Sequence, residues 1–132
     1  MTGSSETIEL TLPRSPRYYG VARMVIGGLA AGIELSYDAL DDLQLAIGSL
    51  LDNRDLPGGD TVALHVTVTG DGVSARIGPF AQGSMAAAFA GSSASGGIDL
   101  ARLLETVVDE VVTDGDGDGD WIVVTKRAVA AA

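Results

Sequence analysis

Several groups of residues in this chain have the types and spacing for chemistry. Ser49 and Asn53 stand four residues apart near the end of an apolar-periodic run, so on a helix both side chains project from one edge. Asp114 to Asp120, DGDGDGD, puts aspartates at the first, third and fifth positions of a calcium-loop pattern and glycine at the sixth. The twelfth position is Thr125, where such a loop needs a bidentate glutamate, so the run reads as a solvated acidic turn. His65 is the only histidine and has no recognisable acid and nucleophile to work with, which makes it a surface or interface residue. Arg14, Arg17 and Arg23 form a basic patch in an otherwise acidic chain, either a solvated face or part of a contact surface.

The element that must position Ser49 and Asn53 is a helix over Ser36 to Asn53. Leu40, Leu43, Ile47, Leu50 and Leu51 recur at three- and four-residue steps, with Asp41, Asp42, Gln44, Ser49 and Asp52 between them, the period of an amphipathic helix. Ser36 is placed to cap it, and Asp38, Asp41 and Asp42 sit where the positive end of the helix dipole favours acids.

Around it the chain reads as strand, two helices, hairpin, long loop, helix and strand. Thr7 to Leu12 alternates Ile8, Leu10 and Leu12 with polar neighbours, a strand with one buried face that Pro13 ends. Ser15-Pro16 predicts the start of a first helix running to about Ala31. Its expected buried stripe is Tyr18, Val21, Ala22, Val25 and Leu29, with Gly32 as a left-handed stop and Met24 and Ile26 off the stripe. Asn53 to Asp60 reads as a loop, and Val62 to Val68 and Val73 to Ile77 as a hairpin around Gly70-Asp71-Gly72. Gly78 to Gly97 is small, uncharged and glycine-rich, a lid-like and mobile loop by composition, with a short helix near Met85 to Phe89. Ile98 to about Val111 predicts a third helix and Trp121 to Val129 a final strand. The pattern is α+β, two layers, with helices on one face of a mixed or antiparallel sheet.

Length and charge bound the function. The 132 residues fit one domain spanning 1–132, with residues 1–6 expected to be disordered. The absence of cysteine excludes disulfides, thiol nucleophiles and cysteine-ligated metals. Eighteen acidic against eight basic residues give a formal charge of −10, a field that repels nucleic-acid backbones and anionic membranes. With no signal-like or membrane-spanning run, a cytoplasmic protein is expected.

With these residues in place, the chain resembles the RsbW-type anti-sigma-factor serine kinases of the GHKL ATPase superfamily, which have the Bergerat (histidine-kinase-like ATPase) fold. The resemblance rests on ELTLPRSPRYYGVARMVIGGLA, YDALDDLQLAIGSLLDN and GGIDLARLLETVVDEV. In that family a glutamate at the end of the second helix is the general base, and an asparagine four residues on holds the magnesium bound to ATP. Here those positions are Ser49 and Asn53. A hydroxyl at its normal pKa does not accept a substrate proton at neutral pH. The family's adenine-reading aspartate falls around Ile77-Gly78-Pro79-Phe80, where none is present. The glycine-rich phosphate turn corresponds to Gly96-Gly97-Ile98-Asp99-Leu100, with Asp99 in place of a glycine. An acid at a helix start gains about 0.3–1 kcal/mol from the dipole and takes the place of a phosphate.

The resemblance therefore implies a degenerate member. It would bind a sigma factor or a STAS-domain anti-anti-sigma partner through its helical surfaces, commonly as a homodimer, with no ATP or magnesium cofactor. The alternative is an active ATP-dependent serine kinase with a relocated base. A third reading is an interaction domain that has lost its ancestral partners.

Overall fold

Along the strand Gly58–Thr69, Val62, Leu64, Val66 and Val68 are buried while the residues between them are partly exposed, the alternation of a sheet covered on one face only. A computed structural model describes residues 6–33, 35–52, 58–84, 100–115 and 117–127. The elements are β1 (Glu6–Pro13), a single 3-10 turn (Pro16–Tyr18), α1 (Tyr19–Ala30), α2 (Tyr37–Leu51), β2 (Gly58–Thr69), β3 (Gly72–Phe80), α3 (Leu100–Val107), β4 (Glu110–Gly115) and β5 (Asp120–Arg127). The five strands form one sheet in the order β1-β2-β3-β5-β4, and every pairing is antiparallel.

The core lies between this sheet and the helices. Leu43, Ile47, Leu50 and Leu51 of α2 meet Ala22 and Ile26 of α1, Leu104 of α3, and Leu64, Ile77, Ile122 and Val124 of the sheet. α2 follows the sequence closely: Ser36 Oγ accepts the Ala39 backbone N–H at 3.1 Å, and Asp38 lies in the first turn, so its amino end is satisfied by cap and charge.

Four expectations are corrected. The first helix begins as a 3-10 turn in which Ser15 makes no side-chain cap bond, and its buried stripe is Ala22, Ile26 and Ala30. Val21 is 40% exposed and Ile26 only 1%, because the methyl side chains of the two alanines let the helix approach the core on a different face. Gly32 is not a left-handed stop, since α1 closes at Ala31 in the right-handed region and Gly32 has no positive φ. The segment from Gly78 does not leave the sheet at once: β3 continues to Phe80, which is buried. Ala81 to Ser84 follow as a turn in which the Ser84 N–H donates to the Ala81 carbonyl at 2.9 Å, and the remainder of the predicted lid, residues 85–97 with Met85 to Phe89, lies outside the described residues.

The largest correction concerns 108–115. The third helix ends at Val107, and Glu110–Gly115 pairs with β5 as the edge strand β4. Val107, Val108, Val111, Val112 and Thr113 are β-branched, and such residues favour a pleated surface over a helix interior. The acidic run is thus the β4–β5 turn, with Gly117 at φ +89°, a conformation that favours glycine. At the other edge, burial along β1 rises from Ile8 (42% exposed) to Leu12 (4%), so only the end of β1 contributes to the core.

Candidate functional site

The carboxyl half of α2 presents two faces. Ile47, Leu50 and Leu51 point into the core, while Leu45, Gly48, Ser49 and Asp52 line an open cavity of about 580 Å³. α1 supplies one wall through Tyr19, Ala22, Arg23 and Ile26, and α3 another through Leu100 and Leu103. Hydrogen bonds fix these walls. The Tyr19 hydroxyl donates to the Leu51 carbonyl at 2.7 Å, and Gln44 Nε2 donates to the Arg23 carbonyl at 3.1 Å. On the other side Lys126 Nζ donates to Asp42 Oδ2 at 3.1 Å and to the Val107 carbonyl at 2.8 Å, tying β5 to α2 and to the end of α3.

Ser49 therefore stands, half-buried, on the wall of a cavity. Asn53, Gly96, Gly97 and Asp99, the other sequence-predicted site residues, lie outside the described residues. Asp52 was not singled out from the sequence as a site residue. Three positions after Ser49 it shares the same helix edge, so the spacing already carried the signal. Its carboxylate has no ion pair among the described residues. Of the basic patch, Arg14 stacks over Phe80 and Arg17 over Tyr18, each with its guanidinium carbon 5.3 Å from the ring centroid. Arg23 is on the cavity, exposed, and without a carboxylate partner among the described residues.

Of the positions that the resemblance assigns to an ATP–magnesium site, Ser49 and the stretch Ile77 to Phe80 are described. Ser49, which the resemblance assigns to the position of the base, carries a hydroxyl. Where an adenine-reading aspartate would stand, β3 instead turns Ile77 and Phe80 into the core, 0% and 1% exposed.

The uncovered face of the sheet holds the remaining candidates. The His65 ring lies 5.2 Å from that of Trp121, and the Arg76 guanidinium stacks 4.0 Å from the Trp121 centroid while pairing with Asp114 at 3.2 Å. Trp121 lies close over Gly78, where an added Cβ would come within 2.9 Å of its ring. His65 is thus part of a stacked surface cluster. Asp114 of the acidic turn is engaged by Arg76, and no grouping of three metal-ligating side chains occurs among the described residues. No helix among them is long and apolar enough to cross a membrane.

With a five-stranded antiparallel sheet and helices on one face, the α+β chain shares the fold of a solved RsbW domain. The chain aligns with 92% coverage and a TM-score of 0.60 to the solved structure of the RsbU and RsbW domains of Rv1364c from Mycobacterium tuberculosis, at 18% identity, spanning 32% of that chain. By sequence it is similar to the serine-protein kinase RsbW of Listeria innocua, 29% identical over 147 aligned residues that cover 96% of this chain and 90% of that protein. It is also similar to the serine-protein kinase RsbW of Bacillus subtilis, 30% identical over 53 residues, 40% of this chain and 33% of that protein. No family model matches.

Proposed function

We propose that this chain is an anti-sigma-factor-like regulator that holds a sigma factor or a STAS-domain partner through its helical layer, without ATP or magnesium. The observation that carries the reading is Ser49 on the cavity wall. The position to which the resemblance assigns a proton-accepting acid holds a hydroxyl here, while the fold around it is kept. A −10 chain with exposed Val21, Met24 and Leu45 on its helices is suited to a protein surface rather than to nucleic acid. The test is titration calorimetry against the sigma factors and STAS proteins encoded in the same genome. A complex at micromolar affinity or better, unchanged by millimolar MgATP, is the expected result. No complex with any of them would reject the reading.

One observation favours a second reading, an active kinase with a relocated base: Asp52 lines the same cavity as Ser49. Transfer of the ATP γ-phosphate to a STAS protein, lost in Asp52→Asn, would establish it.

The same reading carries a homodimer. The sequence places its seam on α1 and β1, but burial of Ile26 removes that residue from any seam. Val112 on β4, 48% exposed and opposite Val123 on the face away from the core, makes the uncovered face of the sheet the better candidate.

A further inference from the structure

The cavity says more about the partner than that it is a protein. Its walls are helices, so an extended peptide finds no strand edge to join there. The free edges of the sheet are at β1 and β4. A helix, with its own backbone bonds closed, can lie in such a groove on side-chain contacts alone. The floor permits close approach: Ser49 is small, and at Gly48 no atom lies within 4 Å of where a Cβ would stand. Helices packed on one another sit about 8–10 Å apart between axes, the shorter distances requiring small side chains at the crossing. Ile26, Leu100 and Leu103 supply apolar lining, and the exposed Leu45 stands at the side of the groove.

Charge narrows the occupant further. Arg23 is an exposed cation on the groove without a carboxylate partner among the described residues, and Asp52 is an acid there in the same condition. A partner helix must bring a carboxylate to Arg23 and keep acids away from Asp52. We infer that the groove across α2 is the seat of an amphipathic helix from the partner, its apolar stripe on Leu45, Leu100 and Leu103 and one of its acids paired with Arg23. This rests on the partner-binding reading above. A serine at position 49, where the resemblance expects a long acid, then has a use of its own, since a carboxylate there would be buried under the docked helix at a desolvation cost.

The experiment takes the sigma factor or STAS protein that binds the full chain and reads the complex in two ways. In ¹⁵N-labelled wild-type protein, the amides of Arg23, Leu45, Ser49 and Leu103 shift on addition of the partner while those of Thr67 and Thr125 stay. In calorimetry, Arg23→Glu and Leu45→Asp weaken binding at least tenfold, Asp71→Arg on the β2–β3 turn leaves it unchanged, and replacing one partner acid by arginine restores binding to Arg23→Glu. Ser49→Glu weakens binding as well. Tight binding with shifts confined to the sheet face, and full affinity in Arg23→Glu and Leu45→Asp, would overturn the groove while leaving the regulator reading standing. Absence of any complex with the wild-type chain would remove both.

Discussion

Lys126, the only lysine of the chain, reaches from β5 to donate a hydrogen bond of 2.8 Å to the carbonyl oxygen of Val107, the last residue of α3. That oxygen is one of the carbonyls a helix end leaves without an internal partner, and the cation also meets the negative end of the helix dipole. The side chain is 16% exposed. Lys126→Met should therefore destabilise the fold by about 1–3 kcal/mol, the cost of losing a charged hydrogen bond and stranding its acceptor. Asp42, whose side chain is 41% exposed, should matter less: Asp42→Asn is expected within about 0.5 kcal/mol of wild type, as for other solvated ion pairs. Urea denaturation of both variants checks the order, and equal losses would mean that the ion pair outweighs the helix cap.

Tyr19→Phe removes the 2.7 Å bond to the Leu51 carbonyl and should cost about 0.5–1.5 kcal/mol. Tyr37 is 88% exposed, so Tyr37→Ala is the control, expected within about 0.5 kcal/mol.

Gly78→Ala forces a methyl to 2.8 Å from the Asp120 carbonyl oxygen and 2.9 Å from the Trp121 ring. Overpacking of this kind costs about 1–3 kcal/mol. Trp121 is the only tryptophan, so its fluorescence should report the displacement directly. An unchanged emission maximum together with unchanged stability would show that the indole does not rest on Gly78.

Millimolar MgATP should leave the melting temperature where it is. A ligand at 100 times its dissociation constant would add about 2.7 kcal/mol. A magnesium-dependent rise in melting temperature that disappears in Asn53→Ala would contradict the proposal.

Light scattering at micromolar concentration should give twice the 13.4 kDa of one chain, and Val112→Asp should return the mass to that of a monomer. A dimer that survives Val112→Asp places the seam elsewhere than β4.

What could be read in advance depended on how local the cause was. Ser36, the early aspartates and the leucine period determine α2 within its own fifteen residues, and Gly70-Asp71-Gly72 between two alternating runs specifies the hairpin of β2 and β3. The three-to-four period of Leu100, Leu103, Leu104, Val107, Val108 and Val111 carries the expected helix past its end at Val107 and into the first two residues of β4. The competing influence, pairing of Val112 with Val123 and of Asp114 with Trp121, is visible only once the sheet exists. On α1 the expected stripe holds Ala22, Tyr18 and Leu29, which do meet the core, but leaves out Ile26 and Ala30, because alanine carries little hydrophobic signal yet decides how near two helices can come. At the site, the outward aim of Ser49 followed from the helix period. The walls at Tyr19, Arg23 and Leu103 come from other elements, and no spacing within α2 announces them.

Among the described residues no further strand pairs with β1 or β4 at the ends of the sheet, and the charged side chains on both are acidic: Glu6 and Glu9 on β1, Glu110 and the Arg76-paired Asp114 on β4. An exposed edge is an invitation to unlimited strand addition, and charge along it is a common safeguard. Whichever two edges of neighbouring molecules approach, acid meets acid, so growth of a continuous ribbon is opposed at every join. The protection is electrostatic and falls as salt screens it or as acid neutralises the carboxylates. Concentrated protein in strong salt or at low pH is where this chain would begin to form fibres.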